Sequence, residues 1–420
     1  MSIERNRGRC VMRTKARGSN LPRIKIANQF LIREMVYRKG PISRIEVAEE
    51  LGLTLPTITT NVSMMIDRGL IREVPSPVRT KSLGRHTMLV EMVPESRRYL
   101  GVEIRGTLRR AVLADLKGNV IASASDDTMY PDYDKALENA VVLSRSILAQ
   151  KGMGPNDVDA IGLCTPGLVD PHEGLLVIHP GYQWEQKRIG DDFAASLGFK
   201  GHVYIENNAI ARAFALSLFN PGKLKDASSF AYMYVSTGIA CPLLNDAKKH
   251  FGVVAGEGEV GHMVMNPDGP VCACGNHGCL ETYSSEATIL EKAGKAIGNG
   301  KAPVLASLTG PDGNPTMEQI MEAQKQGDAD VNEIIVEAVR YLGLAIANID
   351  NFVKPECVAI ECRLFDNLDN RELLMKEINR NLYRKTYNDF RFTFMKGDEL
   401  SGACGAAAVA IKNDLENYIE

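Results

Sequence analysis

Residues 258–281 read GEVGHMVMNPDGPVCACGNHGCLE, which packs three of the chain's nine cysteines into one short glycine-rich stretch. The other six, Cys10, Cys164, Cys241, Cys357, Cys362 and Cys404, are scattered, and the total is odd. Both facts argue against a disulfide framework and for buried small hydrophobes. The cluster is different. His262, Cys272, Cys274 and Cys279 offer one imidazole and three sulfurs, a full tetrahedral shell for Zn²⁺ with no vacant position. A catalytic zinc needs an open position, so this shell predicts a structural ion that fixes a loop with little core of its own. His277 is read as a surface residue of that loop.

Outward from the motif, the chain alternates strand and helix signals. YLGVEIRGTLRRAVLADLKGNVIASA (99–124) reads as three strands with turns at Arg105-Gly106 and Lys117-Gly118-Asn119. A helical stretch follows around Tyr133 to Lys151, and DAIGLCTPGLVD (159–170) returns to strand and enters a Pro-Gly loop. A long helix is expected near Ala338 to Phe352. The body is therefore α/β with mixed sheets, large enough for two lobes and a cleft. Residues 300–329 carry loop and helix signals but no assignable chemistry.

A His followed by Cys-x-Cys-Gly-x-x-Gly-Cys-x-Glu resembles the zinc motif of the ROK family, which groups sugar-responsive repressors with bacterial sugar kinases. The similarity runs from about Ile24 to Ala410. It implies an N-terminal winged helix-turn-helix followed by a two-lobed actin-like, hexokinase-like ROK domain. In the family, the positions of Glu259, His262 and Glu281 face a sugar, and Gly167 in TPGLVD matches the loop that approaches the sugar by its backbone. Fixed carboxylate and imidazole acceptors suit hydroxyl ligands, and a buried polar network rejects ligands that leave it unpaired.

Against the family's kinases, three places differ. Where a kinase carries Glu-Asn-Asp-Ala-Asn, this chain has Glu206-Asn207-Asn208-Ala209-Ile210. Asn207 and Asn208 can hold a hydroxyl, but an amide has no useful basicity, so the general base is missing. The phosphate-loop pattern Asp-x-Gly-x-Thr is here Glu103-Ile104-Arg105-Gly106-Thr107, and Glu103 and Arg105, two apart on a strand, are expected to pair and fill the pocket. The second loop, Ser236 to Ala240, keeps only part of its pattern, and the Gly-Gly-Gly that admits adenosine corresponds to Glu361-Cys362-Arg363. Phosphoryl transfer is mostly positioning and charge stabilisation, so these changes predict a sensor and no enzyme.

The head is a separate matter of charge and period. Residues 1–97 hold 18 Lys and Arg against 9 Asp and Glu, which is +9 and leaves −12 for the rest of a chain of formal charge −3. A basic head on an acidic body points to nucleic acid. Apolar residues at helical spacing from Ala27 to Val36 predict a first helix ended by Gly40-Pro41. Ser43 and Glu46 form a capping box, with Ile42 stapled onto Val47, for a second helix that stops at Gly52. A third starts after Thr54 and buries Ile58, Val62, Met65 and Ile66. Its other face is expected to present Thr57, Thr59, Thr60, Asn61 and Ser63 to the major groove. Strands at 71–74 and 87–93 flank a basic tip, a wing whose Arg85 is expected in the minor groove.

The resulting division is a basic arm (1–23), a winged helix-turn-helix (24–97) and a ROK sugar-sensing domain (98–420). Lobe one is expected at about 98–209 plus the C-terminal helix 405–420, and lobe two at about 210–404. The function expected is a DNA-binding repressor whose carbohydrate effector changes operator affinity, acting as a homodimer or homotetramer on a palindromic site. With neither a signal peptide nor a run of about 20 apolar residues, the sequence predicts a cytoplasmic protein without a membrane partner. Two other readings stay open at this point: a sugar kinase with an added DNA-binding head, and a body that binds a partner protein.

Overall fold

The computed structural model describes residues 21–77, 87–179, 181–224, 227–245, 250–251, 255–310, 313–383 and 391–417. The chain divides into two units: Pro94–Asp414, and the residues up to Val93 together with Leu415 onward.

In the head, helix α1 (Leu21–Lys39) precedes α2 (Arg44–Leu51) and α3 (Leu55–Asp67). The capping box forms as its residues dictate: the Ser43 hydroxyl accepts from Glu46 N and the Glu46 carboxylate from Ser43 N. Gly52 ends α2 in the left-handed region at φ 64°, where a side chain would be strained. Strands β2 (Ile71–Pro75) and β3 (Met88–Met92) pair antiparallel as the wing. A third strand, β1 (Ile42–Ser43), joins β3 on its other edge. The wing tip, including Arg85, lies outside the described residues.

The body contains two sheets of one design. In the first, β4 (Arg98–Ile104), β5 (Arg109–Asp115) and β6 (Val120–Asp126) form an antiparallel meander, and β7 (Ala160–Thr165) and β11 (Val203–Asn207) add parallel to β4. In the second, β12 (Ser229–Val235), β14 (Leu243–Asn245) and β15 (His250–Phe251) form the meander, and β16 (Cys357–Glu361) and β17 (Arg391–Met395) add parallel to β12. The same order, meander first and two parallel strands after, appears twice. This is the duplicated core of an actin-like, hexokinase-like fold. The short β13 (Ile239–Ala240) pairs with β12, and β8 (Leu168–Asp170), β9 (Leu175–Ile178) and β10 (Glu185–Lys187) make a small separate sheet.

Helices α4 (Tyr133–Ala149) and α5 (Ile189–Leu197) pack with the first sheet around buried Leu100, Leu113, Ile161 and Phe193. Helices α7 (Glu281–Ser284), α8 (Glu286–Gly298), α9 (Pro303–Thr309), α10 (Met317–Lys325), α11 (Ala329–Val353) and α12 (Leu368–Asn381) lie on the second lobe. Here α11 is longer than expected, because it starts at Ala329, nine residues before the anticipated start near Ala338, capped by Asp328, whose carboxylate accepts from Val331 N. Chain crossing between the lobes is made by α6 (Asn208–Phe219). The C-terminal α13 (Ser401–Asn417) returns with a face of glycine and alanine. That face comes so close to the first sheet that a Cβ at Gly101 or Gly162 would collide with its backbone.

Candidate functional site

The metal loop is built by turns that only glycine tolerates. Gly275 and Gly278 take φ of 94° and 62°, and a Cβ at Gly278 would collide with the Asn266 carbonyl. Short bridges Val264 to Cys279 and Val271 to His277 fold the loop on itself, and Cys272 N donates to Asn276 O at 2.7 Å. The ligand atoms of His262, Cys272, Cys274 and Cys279 all lie within 4.8 Å of one another. Cys272 Sγ is 3.7 Å from His262 Nδ1, and Cys274 Sγ is 3.7 Å from Cys279 Sγ. Tetrahedral bonds of about 2.3 Å put sulfurs roughly 3.8 Å apart, so the spacing fits an ion of that size. Burial pushes the Cys272 and Cys279 thiols up, the latter to about 12, so thiolates there call for a cation. The four residues can hold a metal.

Next to this loop the structure gathers some of the expected effector residues and redirects others. Gly167, Asn207 and Glu259 line one small cavity of about 20 Å³ between the lobes, with Glu206 and Glu257. Asn207 caps α6, its Oδ1 accepting from Ala209 N at 2.8 Å, while its Nδ2 donates to Gly167 O at 2.9 Å. It therefore pins the Pro-Gly loop to the crossover helix. Gly167 takes φ 101° there, a conformation for glycine. Asn208 is buried at the first position of α6, and neither it nor His262 lines the cavity. Glu281 also stands back from it: its Oε1 accepts from Ile239 N at 2.8 Å, tying the metal loop to the Ser236–Ala240 loop.

Two carboxyls of the cavity escaped the sequence reading. Burial pushes Glu206 up to about 7, opposed by the Asn207 N–H, which donates to its Oε1 at 2.8 Å, and more weakly by Lys412. Burial also raises Glu257 and Glu259. Both lie next to residues that the sequence marks, Glu206 beside Asn207 and Glu257 in GEGEVGH, and only the fold brings them into one cavity.

On the other side of the cleft, the expected Glu103–Arg105 pair forms. Arg105 Nε donates to Glu103 Oε1 at 2.8 Å, and Arg105 Nη2 donates to the Tyr234 hydroxyl at 2.8 Å. Arg212 completes the group: Nη1 is 3.5 Å from Glu103 and Nε 3.6 Å from Glu361, with the guanidinium 4.7 Å from the Tyr234 ring centroid. The Tyr232 hydroxyl donates to Glu361. Burial alone would raise Glu103, but Arg105 and Arg212 outweigh it and hold the carboxyl low. A Cβ at Gly402 would strike this carboxylate. Side chains thus fill the space at two of the altered nucleotide positions.

In the head, Thr59 and Thr60 are exposed on α3, with Thr57 and Ser63 half-buried. Asn61 departs from the expected face. It is 5% exposed and its Nδ2 donates to Thr57 O at 2.8 Å, because it falls on the same helical stripe as Ile58, Val62 and Met65. Thr54 stands at the cap position without a side-chain cap bond, its hydroxyl 2.9 Å from that of Thr57.

A winged head on a duplicated two-lobed body defines a DNA-binding regulator built on a sugar-kinase fold. The model of the ROK family matches residues 99–413 and that of the winged helix-turn-helix DNA-binding domain matches 28–72; the chain belongs to the ROK family. It is 23% identical over 396 residues to the xylose repressor of Bacillus spizizenii, covering 94% of this chain and 97% of that one. It is 27% identical over 351 residues to the N-acetylglucosamine repressor of Escherichia coli O6:H1, covering 82% of each. A crystal structure of a ROK family transcriptional regulator, a homologue of the E. coli MLC protein, superposes with a TM-score of 0.78 at 25% identity, covering 94% of this chain and 97% of that one. These relatives are transcriptional regulators, not kinases. Among the described residues, no helix is long and apolar enough to cross a membrane.

Proposed function

We propose that this protein is a sugar-responsive transcriptional repressor. Its head binds operator DNA through Thr57, Thr59, Thr60 and Ser63 of α3 and Arg85 of the wing, with Asn61 shaping the helix from inside. A small carbohydrate occupies the interlobe cleft against Gly167, Asn207 and Glu259, with Asn208, His262 and Glu281 as the supporting wall. Zn²⁺ on His262, Cys272, Cys274 and Cys279 acts structurally, holding that wall in register. One observation carries the reading: Gly167 and Asn207 from one lobe and Glu259 from the other converge on a single small cavity whose wall mixes these polar groups with Val169, Pro171 and Ile210.

The cavity as it stands has room for about one water, so a sugar enters as the lobes part. A ligand shifts a conformational equilibrium only through different affinities for its two states. The effector therefore favours the lobe angle whose paired heads misfit the operator. A homodimer or homotetramer supplies the pairing, and its two-fold axis calls for half-sites spaced by whole turns of DNA. The kinase reading is disfavoured by Asn208, which cannot accept the hydroxyl proton, and by the ion pairs at two of the altered nucleotide positions.

The test is a thermal-shift screen of a sugar panel, beginning with xylose and N-acetylglucosamine because of the similar repressors, followed by operator binding with each hit. A hit that raises the melting temperature and changes operator affinity is expected. A panel with no hit would favour a body that reads a partner protein.

A further inference from the structure

One guanidinium touches both halves of the duplicated fold. Arg212 lies on α6, the helix by which the chain crosses between lobes, and its two carboxylate neighbours come one from each sheet: Glu103 from β4 and Glu361 from β16. Arg105, also from the first lobe, reaches across to the Tyr234 hydroxyl on β12 of the second. The groups facing this cluster balance. Arg105 and Arg212 offset Glu103 and Glu361, and the nearby Glu286 on α8 is engaged by Arg363 at 3.5 Å. Glu103, Arg105, Arg212 and Glu361 are each at most 9% exposed.

We propose that Arg212 is an interlobe positioning residue, the centre of an ion clasp that fixes the angle between the two sheets and serves as the pivot about which the cleft opens. Breaking a buried ion pair strands a charge away from water, so the two sheets cannot separate at the clasp without large cost. The lobes then part at the opposite, sugar-side edge. Asn208 precedes Arg212 by four residues and so lies on the same face of α6. A ligand in the cavity meets Asn207, the cap of α6, and so acts on the helix that carries the pivot. This assignment concerns the lobe angle of the protein alone and needs neither sugar nor DNA to be tested.

The experiment places bioorthogonal spin labels at Glu138 on α4 and Lys376 on α12, both exposed and one on each lobe, and measures their distance distribution in the full chain by pulsed dipolar spectroscopy. The unsubstituted chain should give one narrow peak. Arg212→Met should widen it at least twofold, and Arg212→Lys, which restores the charge, should narrow it again. Rescue by lysine is a result that mere filling of space would not give. Tyr234→Phe removes only the hydroxyl that accepts from Arg105 and keeps the ring beneath Arg212, so it should widen the peak less. If Arg212→Met does not fold, Glu361→Gln, which removes one of the two charges facing Arg212, decides the matter. An unchanged distribution in every folded variant would overturn the clasp.

Discussion

On one side of the interlobe cleft, the side proposed to take the effector, Gly167, Asn207 and Glu259 surround a small cavity together with Val169, Pro171 and Ile210. On the opposite side, Glu103, Arg105, Arg212 and Glu361 face one another as ion pairs. Both sides are rich in charge, yet one surrounds a cavity and the other is closed upon itself. What separates them is compensation. Two arginines outweigh burial at Glu103 of the closed side, whereas on the open side burial outweighs Lys412 at Glu206 and His262 at Glu259 and also raises Glu257. A cleft with one receptive half and one sealed half can register occupancy without turning over a substrate.

Preventing metal binding at the proposed zinc site should have the largest effect on this contrast, because structural zinc contributes on the order of 10 kcal/mol in small peptides. Cys279→Ser is expected to abolish zinc by elemental analysis and, with it, any sugar-induced rise in melting temperature. A sugar response retained without zinc would break the link between the metal loop and the receptive half. Next in size is Glu103→Ala, which strands Arg105 and Arg212 and should cost about 3–5 kcal/mol in urea unfolding. Replacing Glu103, Arg105, Arg212 and Glu361 together by apolar residues of similar volume should cost less than that single change. If the single change is neutral, the sealed half is not held by its ion pairs.

Glu206 sharpens the receptive half. Its folded pKa of about 7 lies above the ordinary 4.5, so the folded state binds the proton more tightly across that interval. Its contribution is fully present below about 4.5 and is lost as pH rises through about 7. Glu206→Gln keeps the neutral form at every pH. It should therefore raise stability at pH 8 by up to roughly 3 kcal/mol and leave it nearly unchanged at pH 4.5, read from unfolding at the two pH values. Equal effects at both would remove the uncompensated carboxyl from the account. The smallest change lies outside the cleft: Thr60→Ala should weaken operator binding by about 1 kcal/mol, some fivefold, and leave any sugar-induced shift in place.

Much of this arrangement was legible in the chain. The capping box at Ser43 and Glu46, the left-handed stop at Gly52 and the wing strands follow from local rules, and the Glu103–Arg105 pair follows from strand alternation. The clustering of His262, Cys272, Cys274 and Cys279 was legible because the four sit close in sequence. Other features depended on distant partners. Arg212 is a lone cation in the apolar run NAIARAFALSLF, a visible oddity, but nothing local says that Glu103 and Glu361 meet it. Asn61 was misplaced because polarity was weighed above position, although its helical period already put it with Ile58, Val62 and Met65. The two-residue strand β1 is too short to carry a period, and only its pairing with β3 reveals it.

The central claim is that occupancy of the receptive half, and not turnover, is what the head receives. Its most direct test is ADP release by the zinc-loaded protein with ATP-Mg²⁺ and each sugar that raises its melting temperature. The account predicts that such a sugar exists and that ADP stays at the rate of the sugar-free control. Sugar-dependent ADP release at about 1 s⁻¹ or faster, within the usual range of enzyme turnover, would contradict it.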